Sequence, residues 1–249
     1  MEYFTLLSNT FELRGFIHEN SQRNENPIVI IIHGYFSSNK VGPNRLYFQL
    51  AECLKQVGYT VIRCDLRGMG DSEGDIKNVL FEDHVQDVNN IVIYVKKRFQ
   101  KKIILVGHSF GCLTSINCLL DNPLLFEKAI FLSPIYSSEM TLLNFFKDYN
   151  VISELKSIGY TYRKGYYVNY TFFNNVLNID NISKKLRKIR LPLEIVIGSK
   201  DQFVNMSEFN LFCNKSNVKP KYINNGDHNY LNNDSRKLLF IEIINYIIH

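Results

Sequence analysis

Short apolar runs alternate along most of the chain with longer segments in which apolar residues recur at helical spacing. Residues 28–32 (IVIII) are all apolar and β-branched, which predicts a strand buried on both faces of a sheet. Residues 81–98 carry valine and isoleucine one helical turn apart, which predicts a helix with one buried face. The same criteria predict strands over residues 3–8, 11–18, 59–64, 103–106, 128–132, 193–198 and 219–224, and helices over residues 43–57, 207–213 and 234–248.

The order of these elements indicates the fold class. Strands that alternate with helices are typical of an α/β protein with a mostly parallel central sheet flanked by helices. Between residues 135 and 190 the alternation stops, and a partly helical segment carries eleven Tyr and Phe residues. We therefore expect residues 1–134 and 191–249 to form the core and residues 135–190 to form a cap insertion over the carboxyl edge of the sheet. About a third of the cap aromatics should face a pocket, because binding sites are lined mainly by apolar side chains.

A serine motif follows the strand predicted over residues 103–106. The sequence there reads Gly107-His108-Ser109-Phe110-Gly111, and an apolar helical pattern comes next. A serine between two glycines, at the junction of a strand and a helix, is typical of a nucleophile held on a tight turn. The glycines remove side chains that would clash there. The motif also occurs by chance, but this context favours Ser109 as a nucleophile.

A serine hydroxyl is a weak nucleophile near neutral pH, so it needs a base, and the base needs an orienting acid. For a serine on such a turn, the acid and then the histidine follow along the chain. Only His228 and His249 follow Ser109, and His249 lies at the end of a predicted helix. His228 lies in the loop between the last predicted strand and helix and is therefore the predicted base.

The best acid is Asp201, in the loop after the strand predicted over residues 193–198. Asp227 is adjacent to His228, and the side chains of neighbouring residues diverge, so it is a poor partner. Glu194 lies within the predicted strand itself. We expect Asp201 to hold the imidazole in one tautomer and to stabilise its charged form without taking the proton.

Two backbone N–H groups must stabilise the negative oxygen of a tetrahedral intermediate. One is assigned to Phe110, which follows the predicted nucleophile at the start of its helix. The other is assigned to Tyr35, since His33-Gly34 lets the chain turn sharply after residues 28–32. The predicted site therefore consists of Ser109, Asp201 and His228, with the N–H groups of Tyr35 and Phe110 as an oxyanion hole, and this chemistry needs no metal or organic cofactor.

Composition narrows the function classes further. The chain has 249 residues with 45% hydrophobic content, enough for a sizeable core. The formal net charge is +5, and the basic residues are scattered, so no nucleic-acid partner is expected. The five cysteines lack C-x-x-C spacing and lie mostly in apolar runs, which favours buried reduced thiols over disulfides or zinc. With no signal peptide and no long apolar run, we expect no membrane span and a cytoplasmic location.

Five sequence segments appear together in an order that resembles the α/β-hydrolase superfamily, and the match covers nearly the whole chain. Within it, the stretch that begins HGYFSSNK and ends CDLRGMGDSEG is similar to bacterial cinnamoyl/feruloyl-esterase-type carboxylesterases and to the serine-aminopeptidase-like group. The resemblance implies an α/β-hydrolase fold, Tyr35 and Phe110 as oxyanion donors, and residues 135–190 as the cap. The segment DLRGMGDS is expected to be structural, with Arg67 ion-paired. The five segments are His33-Gly34-Tyr35, Asp65-Leu66-Arg67-Gly68-Met69-Gly70-Asp71-Ser72, Gly107-His108-Ser109-Phe110-Gly111, Gly198-x-x-Asp201-x-x-Val204 and Gly226-x-His228.

The main hypothesis is a serine carboxylester hydrolase that acts through an acyl-enzyme on an apolar or aromatic acyl ester. An alternative with the same triad is a thioesterase or acyltransferase, whose partner would be an acyl carrier. A peptidase is disfavoured, since no acidic cluster for a substrate's free amine is identifiable. A non-catalytic binding protein is a third hypothesis, because a fold does not fix a function. The oligomeric state stays open.

Overall fold

An eight-stranded sheet lies at the centre of the protein, whose structure is a computed structural model describing residues 1–20, 25–35, 37, 45–136, 138–163, 165–174 and 179–249. Its strands are β1 (Glu2–Ser8), β2 (Phe11–His18), β3 (Ile28–Ile32), β4 (Val61–Cys64), β5 (Ile103–His108), β6 (Phe126–Leu132), β9 (Leu193–Gly198) and β10 (Lys221–Ile223). Strands β7 (Tyr160–Arg163) and β8 (Tyr166–Asn169) form a separate hairpin.

The sheet is mostly parallel, as the sequence predicts. The strand order is β1-β2-β4-β3-β5-β6-β9-β10. β1 pairs antiparallel with β2, β2 pairs antiparallel with β4, and the other neighbouring pairs are parallel. The carboxyl ends of β3, β5, β6 and β9 therefore lie side by side at one edge, where the loops that follow them meet.

Helices cover both faces of the sheet because successive side chains of a strand point to opposite faces. Val29 and Ile31 pack with helices α1 (Leu46–Gln56) and α9 (Asn233–Ile248). Ile28, Ile30 and Ile32 belong to the opposite layer, with α2 (Phe81–Phe99), α3 (Phe110–Asp121) and α8 (Met206–Ser216). All five residues of β3 are buried, which confirms the strand predicted over residues 28–32.

Some element boundaries differ from the predicted ones. β4 begins at Val61 and not at residue 59, because the turn that ends α1 extends through Tyr59, whose N–H donates to the carbonyl of Leu54. α1 is described from Leu46, and residues 43 and 44 of the predicted helix lie outside the described residues. α8 is longer than predicted and begins at Met206, because the side chain of Asn205 accepts from the first free N–H groups of the helix.

Between β6 and β9 the chain forms helices and the β7–β8 hairpin in place of further sheet strands. The helices are α4 (Ser138–Phe146), α5 (Asn150–Ile158), α6 (Tyr170–Asn174) and α7 (Ile179–Leu186). Their buried apolar side chains, such as Leu155 and Phe172, join the same apolar layer as α2 and α3. The cysteines are free, and four of the five are buried, which agrees with the expected reduced thiols. No helix within the described part of the chain is long and apolar enough to cross a membrane.

Candidate active site

Ser109 lies on a strained turn between β5 and α3. Its backbone has φ 55° and ψ −121°, values that L residues rarely adopt. The turn brings the backbone of α3 so close to the end of β3 that a Cβ on Gly111 would lie 2.5 Å from the carbonyl oxygen of Ile32. Glycine at this position is therefore required by the close approach of two backbones, in agreement with the reason given for the motif.

The structure brings the side chains of Ser109, His228 and Asp201 together in one chain of hydrogen bonds. Nε2 of His228 lies 3.0 Å from Oγ of Ser109, and Nδ1 lies 2.8 Å and 3.0 Å from the two carboxylate oxygens of Asp201. Because an ionised carboxylate only accepts, Nδ1 carries the proton and Nε2 can accept the serine proton. All three residues are buried. The arrangement can deprotonate the serine hydroxyl during nucleophilic attack.

Asp201 is held in its ionised form by its surroundings. Burial by itself raises the pKa of this carboxyl, but the electrostatic interaction and the hydrogen bond with His228 lower it below its ordinary value. The N–H of Phe203 donates at 3.0 Å, and Phe203 and Ser133 both help to lower the pKa of this carboxyl. Ser133 directly follows β6 with φ 45°, and its contribution was missed from the sequence because a single serine after a strand carries no distinctive signal.

Asp227, the alternative acid, does not face the imidazole. Its carboxylate accepts from the backbone N–H groups of Asn229 and Leu231 and so shapes the turn that follows His228. The N–H of His228 itself donates to the side chain of Gln202 at 3.3 Å. The expectation that a side chain adjacent in sequence diverges from His228 agrees with this geometry.

The loop after β3 lies against the nucleophile. A Cβ added to Gly34 would lie 2.9 Å from Cβ of Ser109 and 3.4 Å from its Oγ, so only glycine fits there. Tyr35 follows in this loop, and Phe110 is the first residue of α3, where backbone N–H groups have no partner inside the helix. The rings of Tyr35 and Phe110 lie 5.9 Å apart, so the two residues assigned as oxyanion donors are neighbours beside Ser109.

A cavity of about 140 Å³ opens next to Ser109. Apolar and aromatic side chains make up most of its walls, and the polar side chains of Ser37, His108, Ser109, His228 and Asn229 also line it. Of the eleven aromatics in residues 135–190, Phe145 and Tyr166 line it, which is fewer than the third expected. Phe172 and Phe173 instead pack against the ring of Tyr35, while others such as Tyr149 face solvent. The described lining consists of Gly34, Tyr35, Ser37, His108, Ser109, Phe110, Leu142, Phe145, Tyr166, Phe203, His228 and Asn229.

Ion pairs to α2 hold the loop of residues 65–72. The guanidinium of Arg67 lies 2.6 Å from the carboxylate of Asp87, and both residues are buried. Arg67 also pairs with Asp83 at 2.9 Å. The expected ion pairing of Arg67 is therefore confirmed. Among the described residues there is no group of three or more His, Cys, Asp or Glu side chains arranged to hold a metal ion.

Comparison with known proteins identifies relatives along the sequence. Residues 23–159 match the family described as serine aminopeptidase, S33. The chain is 28% identical over 198 residues to a monoglyceride lipase homolog of monkeypox virus, a match that covers 69% of this chain and 71% of the viral protein. It is also 28% identical over 191 residues to the rat mitochondrial palmitoyl-protein thioesterase ABHD10, covering 73% of this chain and 61% of that protein.

Solved structures share the fold over nearly all of the chain. Est1E from Butyrivibrio proteoclasticus, solved with ferulic acid bound, superposes with a TM-score of 0.79 at 19% identity, covering 98% of both chains. Mouse α/β hydrolase domain-containing protein 10 superposes with a TM-score of 0.74 at 18% identity, covering 99% of this chain and 98% of that one. These likenesses establish the α/β-hydrolase fold.

Proposed function

The chain belongs to the serine aminopeptidase (S33) family of hydrolases, and on that basis we propose that it cleaves carboxylic esters through an acyl-enzyme formed on Ser109. The observation that carries the proposal is the chain of hydrogen bonds from Asp201 through His228 to Ser109. A carboxylate oxygen of Asp201 lies 2.8 Å from Nδ1 of His228, and Nε2 lies 3.0 Å from Oγ of Ser109. The names of the relatives, a lipase homolog and a thioesterase, support the same class of acyl-transfer chemistry.

In the first half of the reaction, Oγ of Ser109 attacks the ester carbonyl carbon while its proton passes to Nε2 of His228. The carbonyl oxygen becomes negative, and the backbone N–H groups of Tyr35 and Phe110 stabilise it. The C–O bond to the alcohol then breaks, and the alcohol takes the proton from His228. Throughout, Asp201 keeps the proton of the imidazole on Nδ1 and stabilises the imidazolium.

In the second half, a water molecule gives a proton to Nε2 of His228 and attacks the acyl carbon. The same two N–H groups stabilise the second tetrahedral intermediate. Its collapse breaks the bond to Oγ of Ser109, which recovers its proton from His228, and releases the carboxylic acid. No group beyond the residues of this chain and water is needed to balance these steps.

The size and lining of the cavity favour a small or aromatic acyl group. A volume of about 140 Å³ is close to that of an apolar cavity that holds one benzene ring. The rings of Phe145 and Tyr166 lie on the side contributed by residues 135–190, which we propose act as a cap over the core formed by the rest of the chain. Est1E, whose structure contains bound ferulic acid, supports an aromatic acyl group as one such ligand.

A thioesterase or acyltransferase is the second candidate, since the same acyl-enzyme can form from a carrier-bound acyl group. The match to the rat palmitoyl-protein thioesterase favours it. An aminopeptidase is less well supported, because the described residues that line the cavity include no carboxylate to bind a substrate's free amine.

A substrate panel tests the proposal. Purified protein and its Ser109→Ala variant are compared on p-nitrophenyl esters of increasing acyl length, on methyl ferulate, on acyl-pantetheine thioesters and on aminoacyl anilides. We expect hydrolysis of short and aromatic oxygen esters that the variant lacks. Faster turnover of the thioesters would favour the second candidate, and turnover limited to the anilides would contradict both.

A further inference from the structure

His108 occupies the variable position of the nucleophile motif, directly before Ser109, and its side chain is buried. Its Nε2 lies 3.0 Å from the backbone carbonyl oxygen of His228. Because a carbonyl oxygen only accepts, Nε2 carries the proton and donates it. The loop that carries the proposed base is therefore fastened by a side chain from the turn that carries the proposed nucleophile.

The other ring nitrogen explains why the proton of His108 resides on Nε2. Nδ1 lies 2.7 Å from the hydroxyl of Tyr47, on α1, and accepts its proton. The Tyr47 oxygen in turn accepts from the backbone N–H of Gly34 at 3.3 Å. The three hydrogen bonds therefore point the same way: Gly34 donates to Tyr47, Tyr47 donates to His108, and His108 donates to the carbonyl of His228.

Both side chains of this relay are uncharged near neutral pH. Burial lowers the pKa of His108 from 6.5 to about 3, and burial raises the pKa of Tyr47 from 10 to about 12. If the neutral ring carried its proton on Nδ1, the lone pair of Nε2 would face the carbonyl oxygen of His228 at 3.0 Å and repel it. Tyr47 prevents this by giving Nδ1 a donor.

His228 is held at both sides of its backbone. Its N–H donates to Gln202, from the loop of Asp201, and its carbonyl accepts from His108, beside Ser109. Two different loops therefore hydrogen-bond to the backbone of His228, one at its N–H and one at its carbonyl. Without the hydrogen bond from His108, the loop that carries His228 can shift, and a misplacement of about 1 Å can cost about 100-fold in rate.

We propose that His108 is a positioning residue for the reaction: its ring N–H holds the backbone of His228 and so keeps the imidazole in line with Ser109. This rests on the proposed function. Tyr47 supports the same role by fixing the tautomer of His108. Neither side chain needs to exchange a proton with the substrate.

A purely structural role for His108 is the competing explanation, since a buried histidine with two hydrogen bonds also stabilises the fold. The two roles differ in what a substitution changes. Loss of stability alone lowers the amount of folded protein and leaves kcat per folded molecule intact. Loss of positioning lowers kcat, leaves KM nearly unchanged and disturbs the hydrogen bond between His228 and Asp201.

The matched pair His108→Gln and His108→Asn separates the roles. The Gln amide reaches as far as Nε2 and can donate to the His228 carbonyl, whereas the Asn amide reaches only to the level of Nδ1. Tyr47→Phe keeps the ring of His108 and removes only the hydroxyl. Each variant is compared with the wild type and with Ser109→Ala by thermal melting, by kcat and KM on p-nitrophenyl butyrate, and by the NMR signal of the His228 Nδ1 proton.

We expect His108→Gln to keep kcat within about fivefold, and His108→Asn to lose about 30- to 100-fold with KM within about twofold. The Nδ1 proton of His228 should exchange faster with water in His108→Asn and in Tyr47→Phe than in the wild type. Equal kcat for Gln and Asn, or a His228 proton unchanged in both His108→Asn and Tyr47→Phe, would overturn the proposal. If His108→Asn does not fold, the proton in Tyr47→Phe decides alone. Activity that survives in Ser109→Ala would instead refute the proposed function, and the NMR readout would still test the positioning role.

Discussion

The carboxylate oxygens of Asp201 lie 2.8 Å and 3.0 Å from Nδ1 of His228, although 27 positions separate the two residues in sequence. The contact exists because β9 and β10 are parallel neighbours, so the loops that follow them leave the same edge of the sheet. Asp227, the nearest carboxylate in sequence, turns instead to the backbone of Asn229 and Leu231. Sheet topology, and not sequence proximity, selects the carboxylate that contacts the imidazole.

Asp201→Asn should leave the fold intact and lower kcat by up to about 10⁴-fold, because the amide can donate to Nδ1 and favour the wrong tautomer. Asp227→Asn is the matched control, since the amide oxygen can still accept from the turn backbone. We expect kcat of that variant within about tenfold of the wild type. Steady-state kinetics on one soluble ester would decide, and a larger loss in Asp227→Asn than in Asp201→Asn would exchange their roles.

Gly34→Ala should reduce kcat by about 100-fold or more, because the new methyl group would lie 2.9 Å from Cβ of Ser109 and displace the loop of Tyr35, the proposed oxyanion donor. Gly159→Ala is the contrasting control. Its φ is 88°, and no heavy atom of the described residues beyond its chain neighbours lies within 4 Å of the added methyl, so it should cost about 1 kcal/mol of stability through backbone strain alone. Melting temperature and kcat are measured for both variants. Gly34→Ala should lower kcat, whereas Gly159→Ala should lower the melting temperature and leave kcat unchanged. Full activity in Gly34→Ala would place the reacting oxygen elsewhere.

The strands and helices of the core could be predicted from the sequence because each has one dominant requirement. The five residues of β3 are apolar since both faces of the sheet are covered. The position of Ser109 likewise follows from a local motif. By contrast, Phe145 lines the cavity and Tyr149 is 90% exposed, although both are aromatic residues of the same segment. Which one faces the cavity depends on tertiary packing, which leaves no period in the sequence.

The same limit explains why His108 was not identified as a site residue. It fills the variable position of the motif, and its partner Tyr47 lies 61 positions earlier on a helix that reads only as amphipathic. Hydrogen bonds between distant loops leave no spacing signal. A positioning residue such as His108 can be identified only from the folded structure, in which the parallel strands bring distant loops to one edge of the sheet.

Asp87→Ala should lower the free energy of unfolding by about 3 kcal/mol or more, because it leaves the buried guanidinium of Arg67 without its main partner. The exposed pair of Arg98 and Glu2, at 2.7 Å, provides a control of similar length. Glu2→Ala should lower the free energy of unfolding much less than Asp87→Ala does, because water and salt screen an exposed ion pair. Urea denaturation measures both, and kcat per folded molecule should stay within about twofold in each. A large loss of kcat in Asp87→Ala would assign this loop a direct part in the reaction.

Stability should fall in mild acid through His84. Its Nε2 donates to the carbonyl of Arg67 at 3.0 Å, and burial lowers its pKa from 6.5 to about 4. Between these pH values the unfolded chain binds a proton at His84 that the folded chain does not. The contribution of His84 to the free energy of unfolding is therefore complete above pH 6.5. As the pH falls below this value, the contribution declines by about 1.4 kcal/mol per pH unit.

His84→Gln keeps a donor for the carbonyl of Arg67 and does not titrate. Urea denaturation at a series of pH values should therefore give a shallower decline for this variant than for the wild type. Identical slopes would mean that His84 is protonated equally in the folded and unfolded chains.

The most direct test of the account is covalent labelling by a fluorophosphonate, followed by intact-mass measurement and peptide mapping. The wild-type protein should gain one adduct, located on Ser109, and Ser109→Ala should gain none while melting at the same temperature. His228→Ala, which keeps the serine and removes its base, should label far more slowly. An adduct on another residue, or labelling that persists in Ser109→Ala, would contradict the assignment of Ser109 as the nucleophile and with it the proposed reaction.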